Sequence, residues 1–382
     1  MHVDPLLRDA LPARVRVELD RALDAGAPVA ELLDRALAPL GTPACHLLTA
    51  SGRTLARTAT ARAELPAPRA AELLRAGLGA TVRVDGDGTV FDAWHLHLPE
   101  PERVPPGALR ETAELLGRHR RLDDRRRAAR ADAAGELAAA VDAPVADAAR
   151  LRTALAACGL AEAPAYTVVA AALAPSGGPG EAAAALAEAL AHLPSAAHAV
   201  AGGSGGEATA VVARDPDAGY DVRALLGEVW PLLPACRPGA VPYAGVSGPV
   251  DAPERLAAAL AQARHALAAA RAAGPAAPRV AGLGDLDGLG ALLAGVPAEV
   301  REVYRVTVLG PLLGTGRGAG VMLLDTLEAF LAHDCSWART AGALGVHVNT
   351  VHYRVGRIEA LTGRDLSRLD HRADLRAALL CR

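Results

Sequence analysis

Lysine is absent from the 382-residue sequence, so every one of its 40 basic residues is arginine. A phosphate-binding loop of the Gly-Lys-Ser/Thr type is therefore excluded, because that loop depends on its lysine. No apolar run reaches the roughly 18 residues that would span a bilayer. Charged side chains occur throughout Met1–Asp20, which argues against a secretory signal. We therefore expect a cytoplasmic protein that makes no use of a membrane.

Cysteine is also sparse, and its spacing is uninformative for metals. Cys45, Cys158, Cys236, Cys335 and Cys381 are scattered, and no two of them form a Cys-x-x-Cys pair. The pattern predicts neither a disulfide framework nor a zinc site, and free thiols fit a reducing compartment.

What is present is ample apolar material. Hydrophobic residues make up 51% of the chain and charged residues 22%, which is typical of a globular protein with more than one core. The length suggests two to four domains. The net charge of −3 means that any contact with nucleic acid has to come from a local basic patch.

The first segment, residues 1–105, reads as helix, hairpin, helix, hairpin. Helical spacing of leucine and valine covers residues 13–38, and a second helix is predicted at Pro68–Leu78. Turn signals at Ser51-Gly52 and at Gly86-Asp87-Gly88 separate paired strand-like runs. These runs are Cys45–Ala50, Thr54–Thr58, Thr81–Asp85 and Val90–Leu98. The α+β pattern suggests a small sensor domain of the GAF or PAS type.

Residues 106–149 follow as a predicted helix and linker. The middle of this helix, Arg118–Asp132, is densely charged. Two interpretations stay open: a solvated linker helix, or a signalling helix that also pairs two protomers. The apolar positions are too few to predict a coiled coil: Leu109, Leu115, Leu116 and Leu122.

Residues 150–313 show alternating strand and helix patterns in the order βαββαβ. The first strand is predicted at Tyr166–Leu173, and Gly202–Gly206 joins the second strand to the third. A long helix at Pro253–Ala273 and a short last strand at Arg279–Ala281 complete the segment. The order suits a ferredoxin-like antiparallel sheet with helices on one face. Residues 314–320, Gly-Thr-Gly-Arg-Gly-Ala-Gly, are then predicted to be a flexible linker.

The last segment, residues 321–382, carries the pattern of a helix-turn-helix. An amphipathic helix is predicted at Met322–His333 and a short second helix at Trp337–Leu344. Ser336 is a suitable N-cap for the second helix, and Gly345 can adopt the left-handed conformation that ends it. Val346 is the apolar residue that we expect to fix the turn against the core.

A third helix is predicted from about Val348 to Thr362, where Gly363 ends it. At about 100° per residue, one stripe of this helix is apolar and the opposite side is polar. The apolar stripe contains Val351, Val355 and Ile358, and the opposite side contains Asn349, Tyr353 and Gly356. A polar, basic helix face of this kind fits the major groove of DNA.

The polar face predicts particular contacts. The Asn349 amide can donate to and accept from adenine, while Thr350, His352 and Tyr353 can bond bases or phosphates. Arginine side chains supply phosphate contacts. The predicted DNA-binding residues are His347, Val348, Asn349, Thr350, His352, Tyr353, Arg354, Arg357 and Arg339.

Two stretches carry a family resemblance: LLDTLEAFL and ARTAGALGVHVNTVHYRVGRIEALTGRDL. They resemble the C-terminal, Fis-like helix-turn-helix of the PucR/CdaR family of bacterial regulators. Upstream, YAGVSGPVDAPERLAAALAQARHAL and TVLGPLL look like that family's central domain, a degenerate relative of the GGDEF fold. The resemblance implies that the DNA-contacting helix covers His347–Arg357. The family usually has arginine where this chain has Val348, and often where it has His352.

Enzymatic activity is not expected. A working GGDEF domain needs acidic residues that hold cations against nucleotide phosphates. The first predicted strand has no acid, and the hairpin at Gly202–Gly206 is followed only by Glu207. His95 and His97 share one strand face, but without a third ligand we interpret them as half-exposed strand histidines. We predict no catalytic residue, no cofactor and no metal.

The sequence therefore predicts an α+β multidomain protein with an all-α helix-turn-helix at its C-terminal end. We expect it to bind double-stranded DNA as a transcription regulator, as a homodimer or higher homo-oligomer, in response to an unidentified small-molecule effector. Two alternatives remain. The helix-turn-helix contacts another protein instead of DNA, or the chain is a nucleotide-cyclising enzyme with an attached DNA-binding domain.

Overall fold

The structure is a computed structural model that describes residues 11–61, 63–86, 88–145, 147–193, 197–214, 221–273, 277–314 and 317–381. Contacts divide the chain into two compact units, Met1–Leu283 and Gly284–Arg382. Each unit is built around its own buried apolar residues.

The first unit begins with helices packed on a four-stranded sheet. Its first elements are α1 (Ala13–Asp24), α2 (Val29–Leu37), β1 (His46–Thr49), β2 (Thr54–Arg57), α3 (Ala67–Ala76), β3 (Ala80–Val84) and β4 (Trp94–Leu98). The predicted helical stripe is confirmed, since Leu19, Leu32 and Leu37 are all buried. All strand pairs are antiparallel, and the sheet order is β2-β1-β4-β3.

Both predicted hairpins are present in this sheet. At the first turn Gly52 has a φ of +92°, and a Cβ there would lie 2.0 Å from the carbonyl oxygen of Ala67. Only glycine fits this close approach between the hairpin and α3. The second predicted turn includes Asp87, which lies outside the described residues.

A 36-residue helix, α4 (Pro106–Val141), contributes to two cores. Near its start Leu109 and Leu116 pack with the first sheet and its helices. Near its end Leu137 and Val141 pack with the second sheet of the unit. The solvated-linker interpretation is therefore wrong for both ends of the helix, because the apolar positions at each end face protein.

The central part of the first unit is a five-stranded sheet with helices. It contains α5 (Ala148–Ala157), β5 (Ala165–Ala174), α6 (Glu181–Leu190), β6 (His198–Gly202), β7 (Glu207–Arg214), α7 (Val222–Val229), β8 (Val241–Val246), α8 (Leu256–Ala273) and β9 (Arg279–Gly282). The sheet order is β6-β7-β5-β8-β9. The predicted βαββαβ order is confirmed by β5 to β8 with α6 and α7.

The prediction of helices on one face of this sheet is wrong. Val168 and Ala170 of β5 pack in a core with α4, α5 and α8 residues, whereas Val169 and Ala171 pack in a second core with α6 and α7 residues. The sequence of β5 explains why both faces of the sheet are covered. It is an almost continuous apolar run without polar alternation, which is typical of a strand that is buried on both sides.

The last strand pair also differs from an all-antiparallel sheet. β8 and β9 pair in parallel because α8 crosses between them. Gly245 lets α8 approach β8, since a Cβ there would lie 2.0 Å from the carbonyl oxygen of Ala263. A larger residue would push the helix off the sheet.

The second unit is helical. It contains α9 (Leu289–Ala294), α10 (Ala298–Leu313), α11 (Arg317–Ala332), α12 (Trp337–Leu344), α13 (Val348–Thr362) and α14 (Leu369–Leu380). The sequence predicts a domain boundary near residue 314, but the chain divides into its two compact units between Leu283 and Gly284. The reason is that Val308, Leu309 and Leu312 of α10 lie in the core of the later helices. These three residues therefore belong to the helix-turn-helix unit rather than to the central sheet.

Part of the expected glycine-rich linker is helical. Gly318, Ala319 and Gly320 lie in α11, whereas Thr315 and Gly316 lie outside the described residues. A glycine costs a helix only about 1 kcal/mol, and the buried side chains of Leu323 and Leu327 further along α11 supply more than that.

No single helix in the described part of the chain is long and apolar enough to cross a membrane. The bent pair α10 and α11 meets that criterion only by the length and composition of both helices combined.

Candidate nucleic-acid interface

The second helix and its turn have the geometry that the sequence predicts. The Ser336 hydroxyl accepts a hydrogen bond from the Arg339 N–H at 3.5 Å, which caps the start of α12. Gly345 has a φ of +63° and ends the helix. The Val346 N–H then donates to the Ala341 carbonyl, so the chain turns tightly into α13.

The third helix is fixed by its apolar stripe and by both of its ends. Val351, Val355 and Ile358 are buried, as predicted. His347 is the N-cap, because its Nδ1 accepts a hydrogen bond from the Asn349 N–H at 3.2 Å. Gly363, with a φ of +68°, ends the helix where the sequence predicts. These contacts set the rotation of α13, and therefore which side chains face outwards.

The outward face of α13 is polar and open. Tyr353 is 75% exposed, and Asn349, Gly356 and Arg357 are exposed as well. Asn349 and Tyr353 are four residues apart and so lie one above the other on the same face. Gly356 leaves that face free of bulk one turn further on. This face presents an amide, a phenol and a guanidinium group to solvent.

His352 is engaged more closely than the sequence indicates. Its ring stacks on the Trp337 indole, with centroids 3.8 Å apart and planes 14° apart. Trp337 also contacts Phe330, at 4.6 Å between centroids. The stack joins the start of α12 to α13 on the exposed side. Sequence reasoning missed it because the two residues are 15 positions apart and no local signal links them.

Several of the arginines are held by other side chains. Arg339 pairs with Asp334 at 3.1 Å, and Arg364 pairs with Asp374. Arg354 donates a hydrogen bond to the Thr326 hydroxyl at 3.3 Å. Among the described residues, Arg357 forms no ion pair. Because a hydroxyl does not neutralise a guanidinium, Arg354 and Arg357 are the arginines of residues 336–364 whose charge is not paired with a carboxylate among the described residues.

Two predicted site residues lie away from the outward face. Val348 is half-buried and packs against the core of the unit, and Thr350 is half-buried on the flank of α13. Val348 therefore shapes the start of the helix through packing rather than by presenting a polar group.

The hairpin that corresponds to a GGDEF signature has its acid already paired. Gly202 ends β6 and Glu207 begins β7, with a short helical turn between them. The Glu207 carboxylate forms an ion pair with Arg271 of α8 at 2.9 Å. Every residue of the adjacent strand β5 is uncharged. The hairpin and β5 together therefore offer a cation one carboxylate, which an arginine already neutralises.

One of the two strand histidines is more buried than expected, whereas His95 is half-buried as predicted. His97 is 1% exposed, and its Nδ1 lies 3.0 Å from the Thr81 hydroxyl. Burial lowers the pKa of His97, of His95 and of His46 on β1, which favours their neutral forms. The prediction of a half-exposed His97 is wrong, because His97 lies between His46 of β1 and Thr81 of β3, its neighbours on the two flanking strands. Among the described residues, no group of three potential metal ligands occurs.

A buried polar junction joins the first sheet to α6, and sequence reasoning missed it. The Glu188 carboxylate accepts hydrogen bonds from the Ser51 hydroxyl at 2.6 Å and from the Arg53 guanidinium at 2.6 Å. His192 Nε2 lies 2.8 Å from the same hydroxyl. Burial raises the Glu188 pKa, but hydrogen bonds from His192, Arg53 and Ser51, with the charge of Arg53, outweigh it and lower that pKa to about 2. Glu188 is therefore an ionised group inside the protein.

Comparison with known proteins identifies two regions of the chain. Residues 323–381 match the PucR C-terminal helix-turn-helix domain. Residues 142–269 match the GGDEF-like domain. The first match spans α11 to α14, and the second spans most of the central sheet.

Curated relatives are similar over part of their length. The transcriptional activator PmfR of Paenarthrobacter nicotinovorans is 40% identical over 105 residues, which are 26% of this chain and 22% of the relative. An uncharacterised protein in the pkwA 5′ region of Thermomonospora curvata is 47% identical over 81 residues, 21% of this chain and 44% of the relative. The chain thus covers less than half the length of either.

A regulator of polyketide synthase expression from Bifidobacterium adolescentis has a solved structure with a TM-score of 0.33 and 21% identity, over 66% of this chain and 97% of that one. The chain carries a PucR C-terminal helix-turn-helix domain and, before it, a GGDEF-like domain. The resemblance to the PucR/CdaR family is therefore confirmed over these regions.

Proposed function

We propose that this protein is a sequence-specific DNA-binding transcriptional regulator of the PucR/CdaR type, with α13 lying in the major groove of double-stranded DNA. The observation that carries the proposal is the open polar face of α13 around Asn349 and Tyr353. The match to a PucR helix-turn-helix domain supports it, as does the name of the Paenarthrobacter nicotinovorans relative, a transcriptional activator.

Asn349 and Tyr353 carry base recognition in this proposal. Asn349 is exposed one residue into α13, where a recognition helix comes nearest to base edges, and its amide suits adenine. Tyr353 is the next residue on the same face and contacts a base or a phosphate. Thr350, on the flank, bonds a phosphate or touches a thymine methyl.

The remaining predicted residues position the helix on the backbone. Arg357 contacts phosphate, and so do Arg339 and Arg354, whose side chains are held by Asp334 and Thr326. His347 caps the helix, so its role is to shape the N-terminal end. Val348 stands where the family usually has arginine and His352 where it often does, and here both make contacts within the protein, to the core and to Trp337.

The first sheet and α4 are proposed to form the sensing part. We assign residues 1–105 to a sensor of the GAF or PAS type that binds a small-molecule effector, and α4 to the route by which its state reaches the central domain. The support is that α4 contributes side chains to both cores and that Glu188 ties the first hairpin to α6.

The central domain is proposed to transmit signals rather than to cyclise nucleotides. β5 carries no acid and Glu207 is neutralised by Arg271, so the cations of a cyclase reaction lack carboxylate ligands there. We further propose a cytoplasmic location and a homodimer, because paired helix-turn-helix units match half-sites about one DNA turn apart.

Selection of duplexes from a random pool by the purified full-length chain tests this function. The expected result is enrichment of a sequence with two related half-sites. An interaction confined to another protein would give no enrichment, and a nucleotide cyclase would form product with magnesium and nucleoside triphosphate. Either result, with no duplex retained, would overturn the proposal.

A further inference from the structure

α10 is apolar on two opposite sides, although only one of them is buried. Val308, Leu309 and Leu312 lie in the core of the second unit. On the other side Val303 is 67% exposed and Val306 is 48% exposed. A helix that buries one face usually presents charges on the opposite face, so the open valines need a separate explanation.

Exposed apolar side chains are frequent in the part of the sequence that contains this helix. Eight of the sixteen exposed large hydrophobic residues in the described chain fall within residues 289–322. They are Leu289, Leu292, Val300, Val303, Val306, Leu313, Val321 and Met322. Scattered apolar residues are ordinary on a surface, but a concentration on one short segment marks an interaction site.

Three exposed apolar residues of α10 and the partly exposed Gly310 have the spacing of a helix-pairing seam. Val303, Val306, Gly310 and Leu313 follow intervals of three, four and three residues, which places them along one narrow stripe. Gly310 lies near the middle of the stripe, where its lack of a side chain permits close approach of a second helix. We call these four residues the α10 stripe.

The charge around the α10 stripe favours a partner with the same surface. Glu302 and Arg305, on one edge, already pair with each other at 2.6 Å, and the sequence from Val306 to Gly314 contains no charged residue. Nucleic acid or an anionic membrane would require a basic surplus that the stripe lacks. A neutral apolar stripe does not repel a copy of itself, which a two-fold contact requires.

We propose that the α10 stripe is the surface through which two copies of this chain pair. The choice of a second copy as occupant rests on the proposed function, which needs two helix-turn-helix units at a fixed separation. α10 contacts α13, α11 and α14 within its own unit. Because α10 contacts α13 directly, pairing of two α10 helices fixes the distance between the two α13 helices.

Sedimentation of the full chain over a range of concentrations tests this. The wild type is expected to be a dimer, and Val303→Asp combined with Val306→Asp is expected to weaken association by roughly 100-fold or more, because carboxylates then meet in a desolvated seam. Val17→Asp, at a 50% exposed position of α1, is the matched control, and we expect it to sediment as a dimer like the wild type. Circular dichroism checks that each variant is folded.

Hydrogen exchange on the wild type gives a second, mutation-free test: amides of residues 299–313 should become more protected as the dimer forms. A monomeric wild type, a double variant as dimeric as the wild type, or exchange in α10 that ignores concentration would each overturn the proposal. Binding to a single half-site separates the two hypotheses. If the protein dimerises through the α10 stripe but does not bind DNA, only the proposed function is contradicted. If the protein is a monomer that binds a half-site, only the pairing through the α10 stripe is contradicted.

Discussion

The rings of Trp337 and His352 lie parallel, with their centroids 3.8 Å apart. Trp337 is the first residue of α12, and His352 lies one turn into α13. The stack therefore joins the two helices of the helix-turn-helix to each other on their exposed side. It gives His352 a structural role at a position that the sequence assigns to DNA contact.

Removal of the stack should loosen the C-terminal unit. We expect Trp337→Ala to lower its free energy of unfolding by about 2 to 3 kcal/mol, because a half-buried ring loses contacts to both His352 and Phe330. A double-mutant cycle with His352→Ala should give a coupling of about 0.5 to 1.5 kcal/mol.

Tyr353→Ala is the control for this cycle, since Tyr353 is 75% exposed and its loss should leave thermal unfolding nearly unchanged while DNA binding weakens. A coupling near zero between Trp337 and His352 would mean that the stack contributes nothing to the motif.

Asn349 and Arg357 should separate sequence preference from general affinity. Asn349→Ala should relax selection at one base position, with a loss of about 1 to 3 kcal/mol for the preferred site alone. Arg357→Ala should weaken all duplexes alike and reduce the slope of log affinity against log salt by about 1. Fluorescence anisotropy with preferred and scrambled duplexes distinguishes the two patterns; equal losses for Asn349→Ala on both duplexes would contradict base recognition by this residue.

Glu188 should make the stability of the first unit depend on acid. Its pKa falls from 4.5 to about 2 on folding, so its stabilisation is complete above about pH 4.5 and is lost as the pH drops towards 2. We expect Glu188→Gln to lower stability by about 2 to 4 kcal/mol at neutral pH, because the partly exposed guanidinium of Arg53 loses its charged partner and the buried Ser51 hydroxyl and His192 ring lose the carboxylate that they contact. The difference between wild type and variant should shrink across that acid range in calorimetry.

Glu31→Gln is the comparison for Glu188→Gln, because Glu31 pairs with Arg35 on the surface of α2 and should change stability by less than about 0.5 kcal/mol. A wild-type advantage over Glu188→Gln that persists unchanged to pH 2 would contradict the ionised junction.

Phe91 should couple the first sheet to the central one. It precedes β4, yet its buried ring packs in the core that contains Val169 and Trp230. Phe91→Ala should therefore cost about 3 to 5 kcal/mol. It should also speed hydrogen exchange in β1 and β5 together. Val90→Ala, at an exposed neighbour, should have little effect. Faster exchange confined to β5 would show that the two sheets unfold independently.

The second and third helices of the helix-turn-helix, α12 and α13, could be predicted almost to the residue because their signals are local. Ser336 caps through its own side chain, and Gly345 and Gly363 adopt left-handed backbone conformations that few other residues tolerate. The buried stripe of α13 follows from helical periodicity alone. These features need no knowledge of distant contacts, so the sequence suffices for them.

The rest depends on contacts between residues far apart in the chain. Gly318 and Gly320 predict a linker from their own preferences, but packing of α11 makes them helical. Nothing in the sequence near Ser51 indicates Glu188, 137 positions away, as its partner. The Trp337–His352 stack and the Arg354–Thr326 hydrogen bond escape prediction for the same reason. The exposure of the valines of α10 could not be predicted either, because an apolar residue in a sequence is equally compatible with a buried position.

The salt dependence of duplex binding tests the central claim most directly. The full-length chain is titrated into a labelled duplex taken from the selected pool, by anisotropy at several salt concentrations. We expect saturable binding at low salt that weakens steeply as salt rises, with a shallower slope for Arg357→Ala. Failure of the folded wild-type protein to bind any duplex, even at the lowest salt concentration, would contradict the assignment of α13 as a DNA-reading helix.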